Sequence, residues 1–187
     1  MKKNILKNYG FTILEMTVVI FIIVVGLMGI LSLANQNITV VSIDKNTVIA
    51  SQLAQEGLES VRNKRDFNWI LGPGADWEHG TSSGSRSDIL PGGISGNGVK
   101  IKYTIDAITG TINNNVPAGI NDSAAKLYFN AAGFYTHQIT PTSTGFSRLI
   151  TMGNESTAST SVTCQVQWKK GINYYSYYAE TVLYNWK

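Results

Sequence analysis

Residue types that build catalytic and metal sites are scarce in this chain. It has one cysteine, Cys164, and two histidines, His79 and His137, among 187 residues. A single cysteine excludes an intrachain disulfide and a metal–thiolate cluster, and neither histidine has a ligand-like neighbour at close spacing. No Ser-His-Asp arrangement, zinc motif or phosphate-binding loop occurs, because the glycine-rich stretch 92–96 lacks the lysine and helix that such a loop requires. We therefore expect no enzyme activity, no cofactor and no metal, and we expect Cys164 to be a small buried residue on a strand.

Charge is also scarce. Charged residues make up 14% of the chain, against about 25% in an average soluble protein. The formal net charge is +3, and the only basic cluster is formed by Lys2, Lys3 and Lys7 near the start. The sequence therefore lacks the basic surface of a nucleic-acid-binding protein, and no nucleic-acid partner is expected.

A long apolar run follows this basic leader. From Phe11 to Ala34 the only charged residue is Glu15, and Met16 to Leu33 alone spans 18 residues. That length exceeds the apolar core of a secretory signal peptide, about 7–15 residues, and suits a membrane-spanning helix of about 20 residues. A carboxylate stranded at mid-bilayer costs about 2.5–3.5 kcal/mol, so Glu15 needs a partner. A cut after Gly10 would supply one, the new amine of Phe11.

The residues around that bond resemble a known family. Residues 8–15 read Asn-Tyr-Gly-Phe-Thr-Ile-Leu-Glu, which resembles the prepilin-type cleavage and methylation motif of type IV pilins and pseudopilins. The family more often places leucine first in the aliphatic pair. The resemblance closely covers residues 1 to about 34. It implies that a prepilin peptidase cleaves between Gly10 and Phe11, that the Phe11 amine is methylated, and that this amine pairs with Glu15 of a neighbouring subunit.

Charge around the span predicts its orientation. Three lysines precede it, and the next basic residue, Lys45, is offset by Asp44. The positive-inside rule places the leader, residues 1–10, in the cytoplasm and the C-terminal bulk outside the cytoplasmic membrane. A plain signal anchor is the alternative, and Ser32-Leu33-Ala34 also resembles an ordinary signal-peptidase site.

The helical pattern continues beyond the span. No proline interrupts residues 11–66, which predicts one helix of about 84 Å at ~1.5 Å per residue. We divide it into a transmembrane and assembly part, residues 11–34, and an amphipathic continuation, residues 35–66. Gly26 and Gly29 weaken it, each by about 1 kcal/mol relative to alanine; they are sites where the helix unwinds during assembly, or sites of close packing or simple tolerance. The predicted apolar stripe comprises Ile38, Val41, Val48, Ala50, Leu53, Ala54, Leu58 and Val61.

The remainder divides into a loop region, residues 67–98, and a sheet region, residues 99–187. Glycine, serine and proline dominate the first, which is typical of a variable surface loop. Alternating apolar residues predict strands at 99–106, 126–129, 146–152, 161–168 and 174–184, the last two forming a hairpin. The fold class is therefore α+β, a long N-terminal helix packed on a C-terminal antiparallel sheet. The tyrosine-rich C-terminus is interpreted as strand rather than as an adhesive surface.

Some pseudopilins bind calcium in C-terminal loops, which raises the question of the scattered aspartates of this chain. We expect these to be solvated loop carboxylates rather than ligands: Asp76, Asp88, Asp106 and Asp122.

The leading hypothesis is a structural subunit of a type IV pilus-like filament, on the cell surface after assembly. Residues 58–69 also resemble PilV-type minor pilins, which favours a minor subunit. The implied partners are a prepilin peptidase, other pilin subunits, the pilus assembly platform and the membrane. Two alternatives remain: a pseudopilin of a type II secretion or DNA-uptake system, and a non-polymerising, membrane-anchored exported binding domain.

Overall fold

The computed structural model describes residues 10, 12–70, 101–113, 119–156 and 158–185. Within these ranges the chain forms one long α-helix followed by an antiparallel sheet, which confirms the predicted α+β class. The elements are α1 (Ile13–Ile70), β1 (Ile101–Ile105), β2 (Ile112–Asn113), a 3₁₀ helix (Ser123–Ala125), β3 (Lys126–Phe129), β4 (Tyr135–Thr136), β5 (Ser143–Ser156), β6 (Ser159–Lys170) and β7 (Asn173–Tyr184).

The chain divides into two compact units after Asp44. In the first unit, α1 is unbroken through Gly26 and Gly29, and every described side chain from residue 12 to residue 41 is exposed. By length and composition α1 could cross a membrane. An exposed apolar helix is the form in which a backbone can enter lipid, because each interior N–H and C=O is bonded within the helix.

In the second unit, α1 packs on the sheet through one face. Its buried residues recur at intervals of three and four, which places them on one side of an α-helix. The predicted stripe is confirmed for Ala50, Leu53, Ala54, Leu58 and Val61, and Gly57, Asn68 and Trp69 complete it.

The predicted stripe was wrong at Val48, which is 57% exposed. Val48 precedes Ala50 by two residues, which is about 200° around an α-helix at ~3.6 residues per turn. It therefore lies on the side opposite the sheet. Ile38 and Val41, in the first unit, are exposed as well.

The helix also runs four residues further than predicted. It ends at Ile70 rather than residue 66, because Asn68 and Trp69 are buried in its last turn. The Arg65 guanidinium lies 5.1 Å from the centre of the Trp69 ring, a cation–π contact that favours this turn. The first residues of the predicted loop region 67–98 are thus helical, and residues 71–98 lie outside the described ranges.

The long strand β5 organises the sheet. It pairs with β1 and β3 along one edge and with β6 along the other, while β2 adds to β1, β4 to β3 and β7 to β6. All described pairs are antiparallel. The predicted final hairpin is confirmed, with Gly171 in its turn at φ +62°, where a side chain would be strained. β5 is twice as long as the predicted strand 146–152.

Alternation decides which side chains face the helix. On β6 every second residue from Thr160 to Trp168 is buried, so these side chains share the face under α1. On β7, Tyr175 and Tyr177 pack against the core, whereas Tyr174, Tyr178 and Tyr184 are exposed. The tyrosine-rich C-terminus is therefore a strand, as predicted.

Candidate functional site

The start of α1 carries the residues that the sequence singles out. Gly10 is exposed, and a Cβ added to it would meet no atom within 4 Å. Phe11 lies outside the described residues, so its cleavage and methylation stay predictions. Thr12 precedes the first helical residue, Ile13.

Thr12 caps the helix. Its hydroxyl oxygen accepts a hydrogen bond from the Glu15 backbone N–H at 3.3 Å, and its carbonyl accepts one from Met16 N–H at 3.2 Å. The first N–H groups of a helix have no partner within it, and an N-cap threonine supplies one. The spacing Thr-x-x-Glu is that of a capping box. Sequence reasoning overlooked this local role of Thr12, although the spacing could have indicated it.

Glu15 lies in the first turn of α1 and is exposed. A negative charge there interacts favourably with the positive end of the helix dipole, typically by about 0.3–1 kcal/mol. Within the described residues, which exclude Phe11, no cation lies within ion-pair distance of its carboxylate.

Gly26 and Gly29 lie in the apolar part of α1, and a Cβ at either would meet no atom within 4 Å. Close packing against the described residues of this chain is therefore not the reason for glycine at these positions. Their proposed role as points of unwinding during assembly stays a prediction.

In the second unit, a buried arginine joins α1 to the sheet. Arg148 of β5 is fully buried. Its Nη1 donates to the carbonyl of Leu53 at 3.2 Å and its Nη2 to the carbonyl of Ile105 at 3.0 Å. Nη1 also lies 3.3 Å from the Glu56 carboxylate. A buried charge is tolerated when it is paired and hydrogen-bonded in this way.

Sequence reasoning did not single out Arg148. The sequence pattern could have indicated that Arg148 is buried, because it stands at an inward position between Phe146 and Ile150 and interrupts the apolar alternation of a core strand. Such an arginine has to find carbonyls or carboxylates inside the protein.

Cys164 lies beside this arginine on β6. It is fully buried and free, which confirms the prediction of a small core residue. Burial raises the pKa of its thiol to about 12, so the reactive thiolate is not populated near neutral pH.

Asp106 is not the solvated loop carboxylate that we expected. It is buried and accepts hydrogen bonds from the Thr136 hydroxyl and from the backbone N–H groups of Ile108, Thr109 and His137. Burial alone would raise its pKa, but the Thr136 hydroxyl and these N–H groups hold the pKa below the ordinary value. Its carboxylate therefore fixes the β1–β2 turn to the segment after β4.

Of the other scattered aspartates named above, only Asp122 lies within the described residues. Asp122 caps the 3₁₀ helix, its carboxylate accepting from Ala124 N–H at 3.0 Å. Asp76, Asp88 and His79 lie outside the described residues. Within the described ranges no three histidine, cysteine or acidic side chains come close enough to hold a metal ion.

His137 lies beside Asp106 and Thr136, and its backbone N–H donates to the Asp106 carboxylate. Its ring Nδ1 lies 3.2 Å from the Lys126 carbonyl, and since a carbonyl only accepts, Nδ1 carries the hydrogen. Its Nε2 is buried without a hydrogen-bond partner among the described residues. Burial, and then the nearby Arg148 charge, lower the pKa of His137 to about 4. The imidazole is therefore neutral at physiological pH.

No protein-family model, curated protein or solved structure shows a significant match to this chain. Functional assignment therefore depends on the residues at the start of α1 and on the fold that follows them.

Proposed function

We propose that this chain is a structural subunit of a type IV pilus-like filament, made as a membrane precursor and assembled through the first part of α1. The observation that carries the proposal is one continuous helix, Ile13–Ile70. Its residues 13–41 expose all their side chains, whereas its stripe from Ala50 to Trp69 is buried under a sheet. An exposed apolar helix needs to be covered by lipid or by other subunits. The membrane would cover it before assembly, and neighbouring subunits would cover it in the filament.

The start of that helix supports the same proposal. A plain membrane anchor requires only a long apolar segment. In this chain the first turn of α1 is also capped by Thr12 and contains Glu15. Within the described residues no cation pairs with the Glu15 carboxylate. The motif Gly10-Phe11-Thr12-Ile13-Leu14-Glu15 matches what a prepilin peptidase and a neighbouring subunit would use. We propose Gly10 and Phe11 as the cleaved pair, Phe11 as the methylated residue and Glu15 as the group that receives a neighbour's amine.

Localisation follows from the same segment. We propose that the precursor crosses the cytoplasmic membrane once, with the lysine-rich leader in the cytoplasm and the β-sheet exported. After processing, the subunit would move from the bilayer into a cell-surface filament. The proposed partners are the prepilin peptidase, other pilin subunits and the assembly platform, with a minor rather than a major position in the filament.

Processing provides the direct test. Protein purified from its host should have an intact mass that lacks residues 1–10 and carries one added methyl group on Phe11. Gly10→Leu should leave the precursor uncut but inserted, and Gly26→Leu is the matched control that should be cut normally. Because a Cβ at Gly10 would meet no described atom within 4 Å, an uncut Gly10→Leu precursor would reflect the peptidase rather than misfolding.

Other outcomes separate the alternatives. A mature protein that begins at Asn35 would contradict the proposal and indicate ordinary signal cleavage. An uncut chain that stays in the membrane would indicate a non-polymerising anchored domain. A cut and methylated subunit that is absent from purified surface filaments, but required for secretion or DNA uptake, would indicate a pseudopilin.

A further inference from the structure

The strands of the second unit line a half-open cavity that the proposed function does not use. It has a volume of about 290 Å³, and Lys126, Ser147, Gln167, Lys169 and Tyr174 are among its lining residues. Small-ligand pockets begin at about 300 Å³, so this cavity suits a group of one ring rather than a large molecule.

Strand register explains why these side chains meet. Lys126 of β3 pairs with Ser147 of β5, Ser147 pairs with Gln167 of β6, and Lys169 pairs with Tyr174 of β7. Lys126 and Lys169 thus stand two strands apart, about 10 Å across the sheet at ~4.8 Å per strand. Lysine side chains of that separation can reach one ligand from its two sides.

Gly145 leaves room between the two lysines. It lines the same cavity, has φ +76°, and adjoins the register shift between β3 and β5. An added Cβ would meet no atom within 4 Å, so the space above this backbone is open. Glycine is the residue that adopts this conformation without strain.

The charge of the cavity is positive. Among the described residues its lining includes two lysines and no aspartate or glutamate. The Lys169 ammonium lies 5.4 Å from the centre of the Tyr174 ring, which restrains it without neutralising it. Two cations in a lining whose described residues include no carboxylate favour an anionic ligand.

The uncharged lining residues indicate what kind of molecule bears the anionic group. Two serine hydroxyls and two side-chain amides, from Ser143, Ser147, Asn121 and Gln167, surround the cavity. Hydroxyls and amides both donate and accept hydrogen bonds, as the hydroxyl groups of a sugar require.

We infer that this cavity binds an acidic saccharide, a sugar ring bearing a carboxylate that the ammonium groups of Lys126 and Lys169 hold. The hydroxyl and amide side chains contact the ring hydroxyls. The site therefore gives the exported sheet an affinity for uronate-containing polysaccharides, a property that is independent of whether the chain polymerises.

The test uses the full chain in a polyoxyethylene detergent, because a maltoside detergent would itself present sugar. Isothermal titration calorimetry with trigalacturonate should show binding, and neutral maltotriose at the same concentration should not. Lys126→Gln and Lys169→Gln should each weaken binding about tenfold, as expected for loss of one charge-assisted contact. Lys45→Gln, which makes the same charge change on α1, is the matched control and should bind normally.

Two further measurements keep the outcome decisive. Lys126→Arg should bind trigalacturonate with most of the wild-type affinity. Circular dichroism should show that each variant keeps its fold, since both lysines are exposed. Equal binding of inorganic phosphate and trigalacturonate would overturn the inference in favour of a general anion site. Absence of trigalacturonate binding, or equal loss in Lys45→Gln, would also overturn it.

Discussion

Gly57 of α1 faces the Cys164 thiol so closely that a Cβ added to the glycine would lie 2.9 Å from the cysteine Sγ. The same Cβ would lie 3.2 Å from Cδ of Arg148. This helix therefore approaches the sheet at a residue without a side chain. Glycine costs about 1 kcal/mol of helix propensity relative to alanine, and the close packing of Cys164 and Arg148 offsets that cost.

We expect Gly57→Ala to destabilise the second unit despite its better helix propensity. Overpacking a core typically costs about 1–3 kcal/mol, of which the propensity gain recovers a part. Chemical denaturation of the full chain in detergent, followed by circular dichroism, measures the change. Cys164→Ala removes the clashing atom, so the double variant should lose less stability than the sum of the two single variants. Strict additivity would contradict the proposed contact.

Arg148 gives a second prediction. Arg148→Met should destabilise the protein by about 2–4 kcal/mol, because the carbonyls of Leu53 and Ile105 both lose a buried charged donor. Arg62→Met is the matched control: Arg62 is only half-buried, pairs with Glu59 and donates a long hydrogen bond of 3.4 Å to the Thr181 hydroxyl, and solvent-accessible pairs of this kind contribute about 0.2–1 kcal/mol. Denaturation midpoints of the two variants should therefore differ clearly. A loss for Arg148→Met no larger than that of the control would show that the buried guanidinium is dispensable.

The sequence patterns that predicted the fold each involve residues close together in the chain. They therefore could not predict features that depend on tertiary packing. Alternating apolar residues from Val162 to Trp168 and the turn signal Lys170-Gly171 predicted the final hairpin within a few residues. By contrast, Val48 has the right chemistry for the buried stripe but the wrong angle around the helix. Trp69 is buried only because the sheet lies beside it, so the helix end at Ile70 depends on tertiary packing.

The candidate sites show the same division. Gly10, Thr12 and Glu15 belong to one short motif, so the sequence alone brings them together. The cluster of Asp106, Thr136 and His137 could not be predicted, since its members lie on segments 30 residues apart in sequence and meet only when β5 pairs with both β1 and β3 and β3 pairs with β4. Arg148 was detectable as a break in the apolar alternation, although its partners were not.

The histidine of that cluster predicts a loss of stability in mild acid. The pKa of His137 falls from 6.5 to about 4 on folding, so between these values the unfolded chain binds more protons than the folded chain. Stability should therefore decrease as pH falls from 6.5 towards 4, by at most about 3 kcal/mol at ~1.4 kcal/mol per pH unit. Thermal unfolding at several pH values measures this.

His137→Asn provides the matched comparison, because its amide can still donate to the Lys126 carbonyl but does not titrate. Its stability should depend less on pH between 6.5 and 4 than that of the wild type. The pKa of Asp106 is lowered by folding, so its contribution is present above the unfolded pKa of 3.8 and disappears only as pH falls through the lower folded value. Parallel pH profiles for His137→Asn and the wild type would contradict the role of His137.

Glu15 gives the prediction that most directly tests the proposed assembly. With an amine at about 4 Å and an effective dielectric of ~20, its attraction is on the order of 4 kcal/mol before desolvation. An amine of the same chain would only ease insertion, whereas the amine of an incoming neighbour would also set the position of that neighbour along the filament. Removing one charge leaves its partner unpaired in apolar surroundings, which is costly.

We therefore expect Glu15→Leu to insert and be processed but to fail to enter filaments, and Glu15→Asp to retain part of that ability. Thr12→Val is the matched control for the helix cap, because it removes the hydroxyl that accepts Glu15 N–H and keeps the carboxylate. It should weaken the start of α1 by about 1 kcal/mol and still permit incorporation. Quantitative immunoblots of membranes and of purified surface filaments distinguish these results. If Glu15→Leu reaches filaments at the normal level, the Glu15 charge serves membrane insertion alone, because incorporation into the filament would then not require the carboxylate.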